Sequence, residues 1–83
     1  MSVAITTNSA TARSITCDEA LAIARKDAET AYRDLSAFRI IIERRADRWH
    51  VDYELSDVYF KGGGPHYIID ATTGAIVSKR YEQ

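Results

Sequence analysis

An α+β fold is predicted for this 83-residue chain, with one N-terminal helix packed across a four-stranded antiparallel β-meander. Three observations predict it. A helix-capping signal is followed by apolar residues spaced three and four apart, and the apolar spacing then changes to two from Phe38 onward. The connections between the strands are short, which makes consecutive strands antiparallel neighbours. A single layer of sheet with the helix on one face satisfies all three.

Length and composition favour one domain that folds on its own, over residues 15–83, preceded by a flexible arm at residues 1–14. Apolar residues make up 46% of the chain and charged residues 28%, which is ordinary globular usage. A formal net charge of −1 provides no strong positive potential to attract a polyanion, so we expect no nucleic-acid partner. The lone cysteine and the absence of a signal-like or membrane-spanning apolar run favour a cytoplasmic protein without a membrane partner.

The helix start is marked by Thr16 and Glu19, whose spacing predicts a capping box. The helix is expected over residues 17–33. Its apolar stripe is rich in alanine, so the helix can lie close to the sheet. The stripe consists of Ala20, Leu21, Ala24, Ala28, Ala31, Tyr32 and Leu35.

The first two strands show the clearest alternation. In the first, Phe38, Ile40 and Ile42 fall on the core side, with Arg39, Ile41 and Glu43 opposite. A short turn at residues 46–48 leads into residues 49–55, where Trp49, Val51, Tyr53 and Leu55 must face the core. We expect Trp49 to be largely buried against the helix. His50, Asp52 and Glu54 then form a row on the opposite face.

A loop is predicted over residues 57–65, because it ends in three glycines and a proline. The third strand should begin at about His66 and the fourth at about Ala75. Between them, Gly74 suits the left-handed position of a tight hairpin loop.

Two segments carry a resemblance to known families. Residues 15–24, ITCDEALAIA, resemble the EEAL-x-IA start of PepSY-type domains and of several immunity-protein families of bacterial toxin systems. Residues 62–76, GGGPHYIIDATTGAI, look like the GG-x-P-x-x-x-ID-x-x-TG-x-I hairpin of the same groups. The resemblance implies a PepSY-like or cystatin-like layer, and the glycine run favours the immunity families. Such proteins are small, cytoplasmic and neutralise a toxin encoded nearby by binding it.

The row of His50, Asp52 and Glu54 also offers metal ligands or acid and base groups. Its outer members are roughly 13 Å apart at about 3.3 Å per residue, too far to share one ion without other elements. His66 could approach His50 across the sheet, although a histidine at a strand entrance more often bonds to its own loop. We therefore expect no catalytic residues, no metal and no cofactor.

A protein-binding surface is the preferred interpretation of these polar residues and of the aromatic residues in the loop. Because Tyr32, Trp49 and Tyr53 belong to the predicted core, Tyr59, Tyr67 and Tyr81 remain for contact. The leading hypothesis is an immunity protein that occludes the active site of a cognate toxin. A PepSY-like regulatory or peptidase-inhibiting domain, and an enzyme using His50 and His66, are the alternatives. The expected contact residues are His50, Asp52, Glu54, Asp57, Tyr59, Phe60, Lys61 and His66.

Overall fold

The predicted order of one helix followed by four strands is confirmed. The computed structural model describes residues 14–57 and 63–81. The elements are α1 (Cys17–Ala31), β1 (Phe38–Arg45), β2 (Arg48–Leu55), β3 (Gly63–Asp70) and β4 (Ile76–Tyr81). The strands form one antiparallel sheet in the order β1-β2-β3-β4. Apart from Ser14, the predicted arm at residues 1–14 lies outside the described residues.

The helix begins with the predicted capping box. The backbone N–H of Glu19 donates to the Thr16 hydroxyl at 3.1 Å, and the backbone N–H of Thr16 donates to the Glu19 carboxylate at 2.8 Å. The predicted end at residue 33 is wrong, because α1 ends at Ala31. Tyr32 is already extended (φ −125°, ψ 134°), although its N–H still reaches the carbonyl of Ala28.

The core lies between α1 and the two central strands. Ala20, Ala24 and Ala28 are completely buried, and they bring the helix backbone close to the sheet because a methyl group is their whole side chain. The larger side chains of the core come from β2 and β3 of the sheet. Its buried residues are Val51, Tyr53, Tyr67 and Ile69. Ala31, which the stripe included, is exposed at the end of the helix.

Trp49 faces the core side as expected, and it is partly buried at the margin of the core and not among its fully buried residues. The ring packs against the edge of the core, and its indole N–H donates to the carbonyl of Ile15 at 3.1 Å. The guanidinium of Arg44 lies 5.5 Å from the ring centroid. Trp49 therefore fastens the segment before α1 to the sheet at the margin of the core.

The core side of β1 is incompletely covered. Ile40 lies opposite Tyr53, on the side predicted from the alternation, yet it is 45% exposed. The reason is the position of α1, which packs on β2 and β3. Ile41, on the other side of β1, is 42% exposed.

The predicted loop over residues 57–65 is too long, because β3 already begins at Gly63. Pro65 is buried and lies opposite Tyr81 in the β3–β4 ladder. A Cβ atom at Gly64 would lie 2.9 Å from a ring carbon of Phe38 and 2.9 Å from the Cβ of Tyr53. A glycine is required there because the Phe38 ring crosses directly over its backbone. The following hairpin is as predicted, with Gly74 at φ +80°.

Asp27 joins the helix to β3 and to the edge strand β4. Its carboxylate accepts hydrogen bonds from the hydroxyls of Tyr81 (2.5 Å) and Tyr67 (2.9 Å) and from Lys79 Nζ (3.0 Å). The bond from Tyr81, with those from Lys79 and Tyr67, lowers the pKa of Asp27 against the opposing effect of burial. Tyr67 is 1% exposed, so its assignment to a contact surface is wrong.

Replacing Thr16 by alanine should lower the free energy of unfolding by roughly 0.5–2 kcal/mol, because the Glu19 N–H loses its acceptor. Chemical denaturation followed by circular dichroism measures this. Thr30→Ala is a control, since the Thr30 hydroxyl donates to a carbonyl at the other end of the helix. An equal decrease in the free energy of unfolding in both variants would show that the capping box contributes no more than an ordinary threonine hydrogen bond.

Replacing Asp27 by asparagine should cost about 1–3 kcal/mol at neutral pH, because three donors lose a charged acceptor. The folded pKa of Asp27 is below its unfolded value of 3.8, so its contribution is present above that value and is lost as the pH falls through the folded pKa. The variant should therefore lose less stability on acidification than the wild type. Glu29→Gln, on the exposed side of α1, should keep the wild-type dependence. Parallel acid profiles for wild type and Asp27→Asn would contradict this.

Candidate functional site

The candidate site is the side of the sheet opposite α1, which we call the open face. Within residues 14–57 and 63–81, no helix or strand lies over it. The register places these residues on it: Arg39, Ile41, Glu43, Arg45, Arg48, His50, Asp52, Glu54, His66, Ile68, Asp70, Ser78 and Arg80. The predicted orientation of β2 is confirmed, because Val51 and Tyr53 are buried while His50, Asp52 and Glu54 lie half-exposed on the open face.

Asp52 and His66 form the central contact of the open face. They are directly opposite each other on β2 and β3, and His66 Nδ1 lies 2.7 Å from Asp52 Oδ1. An ionised carboxylate can only accept, so Nδ1 carries the proton and donates it. The His66 side chain is 18% exposed and that of Asp52 38%. The sequence placed Asp52 in the row on this face and did not pair it with His66.

His50 and His66 do not face each other. His50 lies opposite Ile68 on β3 and Glu43 on β1, so the two histidines are diagonal neighbours. In the described residues, no group of three or more His, Cys, Asp or Glu side chains is arranged to hold a metal ion.

Glu54 is paired across the sheet with Arg39, whose guanidinium nitrogen lies 3.3 Å from a Glu54 carboxylate oxygen. Glu43 makes a similar contact with Arg45 at 2.8 Å. Four arginines and four carboxylates occupy the described part of the open face. The two carboxylates of the row His50, Asp52 and Glu54 do not make the face acidic, since the sheet brings an equal number of arginines beside its carboxylates.

A pocket of about 190 Å³ opens at the centre of this face. It is lined by both histidines, Asp52, Ser78 and Arg80, together with parts of Tyr67 and Ile68. Small-molecule sites usually enclose about 300–1,000 Å³. The pocket therefore suits one side chain of a partner, and it presents both donors and an acceptor to it.

A larger hollow, of about 580 Å³, lies on the opposite side of the molecule. It is formed between the C-terminal part of α1 and the segment that follows it, and Tyr53 lines it. Charged residues surround it, including Arg25 and Glu29, which form an ion pair at 3.2 Å. The sequence did not indicate this hollow, because it depends on the angle at which the chain leaves the helix.

The remaining predicted contact residues belong to the connection between β2 and β3. Asp57 is exposed and is the last described residue before this connection. Tyr59, Phe60 and Lys61 lie outside the described residues, so their part in the contact surface stays a prediction.

Comparison with known proteins finds no relative of this chain. No family model matches the chain, and neither a curated protein nor a solved structure matches it. The resemblance to immunity and PepSY-type families therefore stays a prediction. No helix in the described part of the chain is long and apolar enough to cross a membrane.

The Asp52–His66 contact predicts that neutral His66 is protonated on Nδ1. Nitrogen chemical shifts of the imidazole ring, measured above the pH at which the ring loses its charge, report this tautomer directly. Asp52→Asn should weaken the preference, because an amide can donate as well as accept. Glu54→Gln is the matched control on the same strand and face, and it should leave the His66 shifts unchanged. Protonation on Nε2 in the wild type would contradict the contact.

Proposed function

We propose that this chain is a protein-binding module that docks through its open face. The partner we propose is a cognate toxin, which the chain neutralises by covering the toxin's active site. The observation that supports this is a broad polar face on a sheet with two cross-strand pairs, Arg39 with Glu54 and Asp52 with His66, of which the second lines a pocket the size of one side chain.

Preorganisation is the physical reason why such a face suits recognition. Ordering a long side chain during binding costs about 0.5–1.5 kcal/mol. Arg39 and Glu54 hold each other before any partner arrives, as do Asp52 and His66. Alternating charge adds specificity, because a partner with the wrong pattern brings like charges together.

The choice of a toxin as partner rests on the two resembling segments. In the structure these segments form the capped start of α1 and the β3–β4 hairpin. Both are elements that build the fold, so they support the PepSY-like alternative as well. The identity of the partner separates the two proposals, since a PepSY-like domain would bind a peptidase.

The test is coexpression with the product of the neighbouring gene. We expect the wild-type chain to relieve growth inhibition by that product and to bind it in calorimetry. Asp52→Lys combined with Glu54→Lys should weaken binding roughly a hundredfold or more, because like charges at an interface cost several kcal/mol. Ser78→Arg should also weaken it by filling the pocket, and it leaves both charge pairs in place.

The matched control exchanges the ion pair on α1, with Arg25→Glu and Glu29→Arg together. This variant keeps an i,i+4 pair on the opposite side of the molecule, so we expect wild-type binding. Circular dichroism should show that all variants are folded. Binding that is lost in the α1 exchange and kept in the open-face variants would move the interface to the helix.

A further inference from the structure

Within the described residues, the edge strand β1 lacks several of the features that keep edge strands from pairing. Natural edges are blunted by bulges, prolines, short length or charged side chains, and of these β1 has only the charged side chains, which are of both signs. β1 has eight residues, no proline and an uninterrupted register with β2. Ile40 and Ile41 are both exposed on it, one on each face of the sheet. At the opposite edge, β4 has a register shift against β3, and its Lys79 and Tyr81 are bonded to Asp27.

The direction of the β1 backbone groups follows from its pairing with β2. Arg45 and Arg48 are the closing pair around a two-residue turn, and the Ser56 N–H donates to the Ala37 carbonyl at 2.9 Å. Residues that bond toward β2 alternate with residues that do not. The odd-numbered residues of β1 therefore point their N–H and C=O groups at β2. The outward groups belong to Phe38, Ile40, Ile42 and Arg44, except that the Phe38 N–H already donates to the Leu35 carbonyl at 3.1 Å.

We propose that a second copy of this chain pairs with β1 through its own β1, antiparallel, about a two-fold axis at Ile41. The two four-stranded sheets then become one sheet of eight strands. Ile41 meets Ile41 at the axis, and Ile40 lies opposite Ile42 of the second copy. Arg39 lies opposite Glu43, so each dimer gains two cross-strand pairs of opposite charge.

Charge complementarity selects this register. An axis perpendicular to the sheet keeps each face on its own side, so the register can shift only by moving the axis to another residue. With the axis at Ile42, Arg39 would face Arg45 and Ile41 would face Glu43. With the axis at Ile40, Arg39 would face Ile41 and the charged end of β1 would pass beyond the strand of the second copy. Of these three axes, only the one at Ile41 pairs opposite charges while keeping the strand overlap centred on the isoleucines.

The pairing also covers the surface that α1 leaves exposed. Ile40 and Ile42 lie on the core side of β1, where Ile40 is 45% exposed and Ile42 is partly buried against the core. Opposite them, the second copy brings its own Ile42 and Ile40. Arg39 would lie between Glu54 of its own chain and Glu43 of the second copy. Because the axis preserves the faces, the two open faces become continuous on one side of the dimer.

Sedimentation equilibrium and amide hydrogen exchange of the full chain test the proposal. The mass should rise from that of one chain, 9.3 kDa, to twice that value with concentration. The amides of Ile40, Ile42 and Arg44 should become protected over the same concentration range, because their N–H groups gain acceptors. The amides of Arg39, Ile41 and Glu43 should be protected at every concentration.

Substitution at the axis tests the register. Ile41→Lys and Ile41→Glu should each lose the dimer, because each places two like charges in a closely spaced pair. Mixed together they should form a heterodimer, in which lysine faces glutamate. Val77→Lys, at the other edge and 46% exposed in the wild type, should dimerise like the wild type.

Three results would overturn the proposal. The first is a wild-type chain that stays monomeric at all concentrations. The second is protection of the Ile40 and Ile42 amides in samples that sediment as monomers, which would show that another segment of the same chain covers β1. The third is a dimer that survives Ile41→Lys, or a mixture of the two Ile41 variants that stays monomeric while the wild type dimerises.

Discussion

The contact between the alanine stripe of α1 and the large side chains of β2 and β3 is the constraint on which the rest of the structure depends. Ala20, Ala24 and Ala28 are small enough for the helix to lie directly over Tyr53 and Tyr67. This close approach builds a dry core from few residues. It also limits what one helix can cover, because a 15-residue helix spans the central strands and leaves the sheet margins to other interactions.

The two edge strands of the sheet are therefore covered to different extents. At β4, Asp27 bonds to Lys79 and Tyr81, so polar contacts continue where apolar packing ends. At β1, Ile40 remains exposed on the core side, and the outward backbone groups form a regular edge. The proposed pairing of two β1 strands completes this margin. It would leave most of the open face available to a partner, since the pairing uses the backbone edge of β1 and of the open-face side chains involves only those of β1, such as Arg39, Ile41 and Glu43.

Much of the site was predictable because strand alternation assigns side chains to faces. The pattern from Trp49 to Leu55 placed His50, Asp52 and Glu54 together on the face away from the helix, and the register confirms it. Alternation does not reveal which strands lie beside β2 at a given level. The partner of Glu54, Arg39, and the partner of Asp52, His66, lie 15 and 14 positions away in the chain, so the pattern of β2 alone does not show these contacts.

The sequence by itself determined the α+β class, the capped start of the helix, the order of the strands and the Gly74 hairpin. These features depend on residues that are close together in the chain. The tertiary structure decided the burial of Tyr67 under Asp27, the position of Trp49 at the margin of the core, the charge balance of the open face and the uncovered side of β1. Those features depend on where the helix lies across the sheet and on which residues the register brings opposite one another, and no local pattern contains that information.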